Sequence, residues 1–209
     1  MKIAVVAANG KAGQLIVKEA VDRGHDVTAI VRSDNKTVAP HVLVKDIFDL
    51  SKEDLAGFDA VVSAFGAYTP ETLPQHTTSL EHLAGLLEST TVRLLVVGGA
   101  GSLYVDPEMT TQLVDTPDFP DEYKPLALAM SKGLDRLRDF GTVNWTYISP
   151  AADFVADGDR TGDYILAGEV FTVNDKGESV ISYADYAVAM LDEIEKGHHN
   201  KERISVLGK

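Results

Sequence analysis

The 209-residue sequence contains no cysteine, so disulfide bonds, a thiolate nucleophile and thiolate metal ligands are all excluded. It has no apolar run approaching the length of a membrane span, and its beginning lacks the basic-then-apolar layout of a signal peptide. A cytoplasmic location is therefore expected. Hydrophobic residues make up 44% of the chain, which is ample for a core, and the length is that of one domain.

Positive charge is also scarce, with 19 lysines and arginines against 32 acids and a formal net charge of -13. This balance argues against nucleic acid as a partner, because phosphate backbones are bound by clusters of Lys and Arg. It is compatible with a nucleotide cofactor, which needs only local donors and one or two cations. His76 and His82 lie six residues apart and so do not share a helix face, and no metal site is predicted.

The first 32 residues carry the strongest pattern. They predict a strand, a tight turn, a helix and a second strand, over Lys2–Val6, 7–13, Gln14–Arg23 and Asp26–Val31. A helix that begins at such a turn presents unpaired N–H groups and the positive end of its dipole to phosphate. Gly10 would allow close approach of a pyrophosphate, and Gly13 would allow close packing of helix on strand. The candidate phosphate contacts are Ala7, Asn9, Gly10, Lys11, Ala12 and Gly13.

This turn lacks the first glycine of the dinucleotide-binding fingerprint. Ala8 occupies that place in the G-x-G-x-x-G register, and Ala7 occupies it in the G-x-x-G-x-x-G register. Alanine suits the turn only if its φ stays negative, so a negative φ is expected. The alternative is an ordinary strand–helix turn that binds no ligand.

Arg32, at the end of the second strand, bears on which nucleotide would bind. NAD-binding proteins usually have an acid here for the ribose hydroxyls, whereas an arginine can pair with a 2′-phosphate. Asp34 follows two residues later, so an acid is not wholly absent. The sequence favours NADP(H) over NAD(H), and the alternative is a solvated arginine at a strand end.

Further candidate cofactor contacts follow the predicted strands 42–44, 59–63, 93–97 and 144–148. Asp46 could accept a hydrogen bond from the adenine amino group or could cap a turn, and Ile47 could lie against the ring. Phe65 or Tyr68 could form a wall beside the nicotinamide. The remaining candidates at strand ends are Ala64, Gly66, Gly98, Gly99, Ser149 and Pro150.

Strands and helices alternate along the whole chain. Helices are predicted over 51–55, 74–88, 123–140 and 182–195, and a last strand over 204–207. This order predicts an α/β fold with a doubly wound, mostly parallel sheet and helices on both faces. Residues 1–150 would form the nucleotide-binding core of a single domain, 151–181 a small substrate-side segment, and 182–209 a closing helix and strand. The acidic, proline-rich stretch 104–122 is expected to be a lid or a pocket wall.

Taken together, several segments resemble a known family: AANGKAG with the strand end VR, LLVVGGAGSL, FPDEYKPLALA, NWTYISPAADF, RTGDY and ISYADYAVAMLDEIE. The chain is similar to the small atypical short-chain dehydrogenases called NADH–flavin reductases, which are related to the NmrA-like proteins and the biliverdin-IXβ/flavin reductases. The resemblance implies a Rossmann fold, a bound NAD(P) and hydride transfer to a flavin or a similar flat acceptor.

The Tyr-x-x-x-Lys pair used by most short-chain dehydrogenases is missing. Leu128 stands four residues before Lys132, and aligning the Asp-Pro that follows puts Ala100 where flavin-reducing relatives carry a serine. Carbonyl reduction needs a proton donor at the alkoxide, whereas a flavin needs little protein acid, so catalysis would rest on positioning. Ser102 and Tyr104 are predicted to contact the acceptor, and Lys132 the nicotinamide ribose; loop hydrogen bonding, packing and solvent exposure are the respective alternatives.

The sequence is therefore compatible with two functions. One is an NADPH-dependent reductase acting on a flavin or quinone-like acceptor, as a monomer or homodimer. The other is a non-catalytic NADP(H) sensor that binds a partner protein, as NmrA-like relatives do. A sugar-nucleotide epimerase or dehydratase is disfavoured, because the segment after Pro150 is short for a large substrate domain.

Overall fold

The computed structural model describes residues 1–209. The strands are β1 Lys2–Val6, β2 Asp26–Val31, β3 His41–Val44, β4 Ala60–Ser63, β5 Arg93–Val97, β6 Asn144–Ser149, β7 Asp153–Val155, β8 Ile165–Ala167, β9 Val180–Ser182 and β10 Glu202–Leu207. The helices are α1 Lys11–Asp22, α2 Lys52–Leu55, α3 Gln75–Leu87, α4 Lys124–Arg138 and α5 Tyr183–Lys196. Short 3-10 turns cover Ile47–Asp49, Leu113–Asp115 and Asp121–Tyr123.

Eight strands form one sheet in the order β3-β2-β1-β4-β5-β6-β10-β8, and β7 pairs with β9 in a small separate sheet. All neighbouring strands of the large sheet are parallel except β10 and β8. The chain adds strands outward on one side of β1, then returns to start again at β4 on the other side. This is the Rossmann-like, doubly wound sheet that the sequence predicts.

Side-chain alternation along the strands builds a core on each face of the sheet. Ile3 and Val5 of β1 belong to the core that includes Ile16 of α1 and residues of α5. Ala4 and Val6 point the other way, into the core formed with α3 and α4. Strands buried on both faces are apolar without interruption, which explains why their positions could be predicted from sequence.

Two helices begin at a serine whose side chain caps the helix. Ser51 and Asp54 form a reciprocal capping box at α2. Ser182 also caps α5 by accepting from the Asp185 N–H, but the Asp185 carboxylate does not return to the cap. It accepts instead from the Thr161 N–H and hydroxyl and from the Gly162 N–H, which fastens the segment before β8 to α5.

The structure differs from the sequence-based expectations in three places. Helix α1 begins at Lys11 rather than at residue 14, with Gly10 as its N-cap. Strands β7, β8 and β9 were not predicted, because three-residue strands are too short to show a period. The expectation of a negative φ is wrong at Ala7, whose φ is +58°. None of the helices combines the length and apolarity that crossing a membrane requires.

The left-handed backbone at Ala7 yields a stability prediction. Replacing Ala7 by glycine removes the Cβ that makes a positive φ costly, by about 1–2 kcal/mol, and this exceeds the added entropy of the unfolded chain. We expect Ala7→Gly to raise the free energy of unfolding by about 0.5–1 kcal/mol, measured by chemical denaturation. The matched control is Ala84→Gly in the interior of α3, where the same change should destabilise by about 1 kcal/mol or more. A destabilised Ala7→Gly protein would contradict the expectation.

Candidate functional site

A cleft of about 1330 Å³ opens at the carboxyl ends of the strands, where the strand order reverses between β1 and β4. Two parts can be distinguished by their lining. The glycine-turn half is lined by Val6, Ala7, Asn9, Gly10, Lys11, Ala12, Ile30, Val31, Arg32, Ser33, Lys45 and Ile47. The aromatic half is lined by Leu113, Thr116, Asp118, Phe119, Pro120, Tyr123, Leu126, Ala127, Met130, Ala152, Asp153, Phe154, Phe171, Val173, Gly177, Ser179 and Tyr183.

The first turn of α1 supplies free donors to the glycine-turn half. Gly10 is the N-cap and provides no side chain to cap the helix. The backbone N–H groups of Lys11, Ala12 and Gly13 have no acceptor within the chain. Unpaired donors at the positive end of a helix dipole form a binding site for an anionic group.

The two glycines of this turn serve different purposes. A Cβ at Gly13 would lie 2.8 Å from the Ala8 carbonyl oxygen, so only glycine lets α1 sit this close to the end of β1. A Cβ at Gly10 would meet only the Ala7 oxygen at 3.5 Å and otherwise open space. The turn therefore fits a pyrophosphate, which needs open space in front of the backbone.

Asn9 joins two loops that border the cleft. Its side-chain amide donates to the Asp34 carbonyl at 2.9 Å, and its side-chain oxygen accepts from the Lys36 N–H at 2.8 Å. Both polar atoms are therefore used to hold the loop after β2 against the glycine turn. Asn9 lines the cleft, as predicted, and these contacts give it a positioning role.

At the end of β2, the Arg32 side chain is 79% exposed and its Nε lies 3.9 Å from the Asp46 carboxylate. Asp46 does not line the cleft, because its carboxylate caps the following 3-10 turn by accepting from the Phe48 N–H at 3.0 Å. The capping alternative thus describes Asp46. Ile47 is buried and lines the cleft, while the neighbouring Lys45 pairs with Asp54 at 2.6 Å.

The end of β4 continues the lining through Ala64, Phe65 and Gly66. The ring of Phe65 meets His76 edge-on with centroids 5.7 Å apart. His76 is buried and lies within hydrogen-bonding distance of the backbone N–H and carbonyl of Ala67. Burial lowers the pKa of His76, and the Ala67 carbonyl opposes this shift only in part. His76 is therefore neutral near pH 7 and braces the loop under Phe65.

The glycine run after β5 is explained by packing. A Cβ at Gly98 would lie 2.2 Å from the Tyr147 ring, and one at Gly101 would lie 2.6 Å from the Ala127 side chain. The Gly99 N–H donates to the Tyr147 hydroxyl at 3.2 Å. Burial raises the pKa of Tyr147 to about 12, so this hydroxyl stays protonated. Gly98 and Gly99 nevertheless line the cleft with their backbone, as does Pro150 after β6.

Aromatic rings dominate the opposite half. Phe154 of β7 lies against Tyr183 at the start of α5, with centroids 3.9 Å apart and the rings tilted by 38°. Burial raises the pKa of Tyr183, and the nearby Tyr68 adds to this shift. Tyr68 is 78% exposed, and its hydroxyl sits 2.6 Å from where a Cβ on Gly66 would be. Tyr68 therefore lines the cleft beside Gly66.

Ser102 and Ser149 do not line the cleft. Both hydroxyls accept from the guanidinium of Arg203 in β10, at 3.2 and 3.4 Å. Arg203 is 4% exposed, and it also donates to the Ser102 carbonyl and pairs with Glu169. The two serines thus supply acceptors to a buried cation, and they join β10 to the ends of β5 and β6.

Tyr104 and Lys132 lie away from the cleft as well. The Tyr104 backbone forms isolated bridges with Gln112 and Val170, which places it in a strand-like link beneath the 104–122 loop. Lys132 is exposed on α4. None of the three predicted catalytic residues therefore lines the cavity.

Of the predicted cofactor contacts, thirteen line one cavity: Ala7, Asn9, Gly10, Lys11, Ala12, Arg32, Ile47, Ala64, Phe65, Gly66, Gly98, Gly99 and Pro150. Gly13, Asp46 and Ser149 do not. Ser33 and Lys45 were missed, although both directly adjoin residues that were singled out. The stretch 104–122 was expected to be a lid or pocket wall and 151–181 a substrate-side segment, and residues of both line the aromatic half. Its individual rings were not predicted, because they come from four separate segments that no local spacing joins.

The fold and the cleft define an NAD(P)H-binding protein. Residues 7–195 match the family described as NAD(P)H-binding, and the chain belongs to this family. It is 49% identical to the uncharacterized protein YwnB of Bacillus subtilis over 210 residues, covering 99% of this chain and 98% of that protein. The SP1627 protein of Streptococcus pneumoniae, named "a putative NADH-flavin reductase", is 64% identical, with a TM-score of 0.98 and complete coverage of both chains.

A second solved structure carries a different name. The Bacteroides thetaiotaomicron protein, a "putative epimerase", is 36% identical with a TM-score of 0.85, covering 99% of this chain and 96% of that one. The resemblance to the NADH–flavin reductases and their short-chain dehydrogenase relatives is confirmed.

The buried guanidinium gives a prediction for Ser102. Ser102→Ala removes one acceptor from Arg203 and should lower the free energy of unfolding by about 1 kcal/mol, measured by denaturant titration. Ser33→Ala is the control, because Ser33 is exposed and makes no hydrogen bond through its hydroxyl, so it should stay within about 0.5 kcal/mol of the parent. Equal stabilities of the two variants would show that the Ser102 hydroxyl contributes nothing to holding Arg203.

Proposed function

We propose that this protein is an NADPH-dependent oxidoreductase that reduces a flat aromatic acceptor such as a flavin. The observation that carries the proposal is the continuity of the cleft, which joins the free N–H groups of α1 to an aromatic-lined half without a barrier between them. Phosphate recognition and an aromatic ring site then adjoin in one cavity, as transfer between two ring systems requires.

The glycine-turn half would hold the dinucleotide. The N–H groups of Lys11, Ala12 and Gly13 would bind the pyrophosphate, and the open face of Gly10 would admit it. Ile47 is buried beside the cleft, where it would pack against the adenine. Asn9 would act indirectly, by fixing the loop that carries the strand-end arginine.

Preference for NADPH rests on Arg32. Its guanidinium is exposed at the cleft and engaged only by a distant Asp46, so it is free to pair with a 2′-phosphate. The acid that could favour NADH, Asp34, does not line the cleft. The Asn9 side chain donates to the Asp34 carbonyl, and this contact keeps Asp34 in the loop beyond the cavity.

The aromatic half would hold the acceptor. A bound nicotinamide supplies a hydride, and the acceptor takes up that hydride together with a proton from water. The chain's residues would position the two rings and exclude water around them. No side chain need act as an acid, because a flavin delocalises the charge it receives.

The cofactor assignment can be tested at Arg32. Arg32→Ala should weaken NADPH binding about 10–100-fold and leave NADH binding nearly unchanged, because only the 2′-phosphate contact is lost. The dissociation constants would be measured by titrating the protein's intrinsic fluorescence with each nucleotide. Lys36→Ala, an exposed lysine on the same loop that does not line the cleft, is the control and should change neither constant. An unchanged NADPH-to-NADH ratio in Arg32→Ala would overturn the preference for NADPH.

The activity itself is tested by following the absorbance of NADPH in the presence of riboflavin, FMN, FAD or a quinone. We expect oxidation that saturates with acceptor and exceeds the rate without enzyme. A Gly10→Val variant serves as the control, since its side chain would project towards the pyrophosphate site and should abolish turnover while preserving the fold. If the protein binds NADPH yet accelerates none of these reactions, the reductase proposal is wrong.

One observation favours a second function, an NADP(H) sensor that binds a partner protein. Ser102, Tyr104 and Lys132, the residues predicted to act in catalysis, do not line the cavity. A sensor must distinguish the two redox states of the cofactor, so NADP⁺ and NADPH should then bind with different affinities and change the protein's surface differently. Equal affinities, with turnover of an acceptor, would exclude the sensor.

A further inference from the structure

Charge is distributed unequally between the two halves of the cleft. The lysines and arginines that line it are Lys11, Arg32 and Lys45, and all three belong to the glycine-turn half. The aromatic half is lined by two carboxylates, Asp118 and Asp153, and by no lysine or arginine. The cavity therefore attracts phosphate at one end only.

Neither carboxylate of the aromatic half is neutralised by the chain. Asp118 and Asp153 take part in no ion pair, and their side chains form no hydrogen bond with other residues. Both residues are exposed. A ligand that enters this half therefore meets uncompensated negative charge.

The segments around the aromatic half add to its negative charge. Residues 104–123 contain six acids and no lysine or arginine. Across the cleft, Arg160 is one of two basic residues in 150–183, and it is engaged by Glu19 on α1. The other, Lys176, is exposed and forms no ion pair, but it does not line the cleft.

From these observations we infer that the acceptor site selects flat aromatic molecules without a phosphate group, so that riboflavin-like or quinone-like acceptors bind and FMN and FAD are disfavoured. The inference rests on the proposed function and specifies its substrate class. Rings gain by packing near Phe154 and Tyr183, whereas a phosphate carrying nearly two negative charges is repelled by Asp118 and Asp153 without any compensating contact. Discrimination here comes from a repulsive element, which is a common source of specificity.

Riboflavin and FMN provide a matched pair of probes, because they differ only in the phosphate. With the protein saturated by NADP⁺, which blocks turnover, quenching of flavin fluorescence measures binding of each. We expect riboflavin to bind about tenfold more tightly than FMN at low ionic strength, and added salt to narrow this difference by screening. Tighter or equal binding of FMN, or no binding of either flavin, would overturn the inference.

Two substitutions test whether Asp118 and Asp153 cause the weaker binding of FMN. Asp118→Asn and Asp153→Asn should each strengthen FMN binding about threefold or more and leave riboflavin binding unchanged. Glu88→Gln is the control, because Glu88 is an exposed acid at the carboxyl end of α3, outside the cleft, and the same loss of charge there should change neither affinity. A preference for riboflavin that persists in the double Asp variant would refute the role of these carboxylates.

Failure of the inference can be separated from failure of the proposed function. Binding is measured without turnover, so selective binding of riboflavin would support the inference even if NADPH oxidation were then found to be absent. Conversely, turnover with FMN at an efficiency equal to that with riboflavin would retain the reductase and reject the selection against phosphate.

Discussion

The contact between Gly13 and Ala8 is the constraint on which the site depends. With no side chain at Gly13, the first turn of α1 rests directly on the carboxyl end of β1, and its N–H groups face the gap between β1 and β4. Any Cβ would press on the Ala8 backbone and tilt the helix away from that gap. The left-handed conformation of Ala7 belongs to the same arrangement, because the chain must turn sharply to begin the helix here. A strained residue at such a turn is tolerated when the surrounding structure fixes it.

A second buried contact organises the other end of the cleft. The Arg203 guanidinium binds Ser102 after β5, Ser149 at the end of β6, and Glu169 before the 170–173 segment. A buried cation is costly unless its donors are satisfied, so these contacts are mutually dependent. They hold the loop after β5 in register with the segment that carries Phe171. The aromatic half therefore owes its shape to polar atoms that never reach the cavity.

The nucleotide side of this molecule could be predicted from sequence because it is local. The β1–α1 turn, the strand-end Arg32 and the apolar parallel strands each lie within a short stretch whose spacing has one physical interpretation. Ser102, Tyr104 and Lys132 were misplaced for the opposite reason. Whether a residue after a strand faces a cavity or a buried partner depends on that partner, and Arg203 lies about a hundred residues away in the chain. The rings of the aromatic half come from segments around 119, 154, 171 and 183, and their meeting in one cavity is likewise visible only in three dimensions.

The division of charge along the cleft connects these observations to chemistry. A dinucleotide is long and anionic over its phosphates, but its nicotinamide end is a flat ring, so a single cavity has to change character along its length. In this cleft the lining changes from cationic to acidic and aromatic where the wall passes from the strand ends to segments 104–123 and 150–183. In the proposed function, the cations of the first part would bind the phosphates, which are common to all nicotinamide dinucleotides. The carboxylates and rings of the second part would contact the acceptor, which varies between proteins of this fold, and would set the specificity for it.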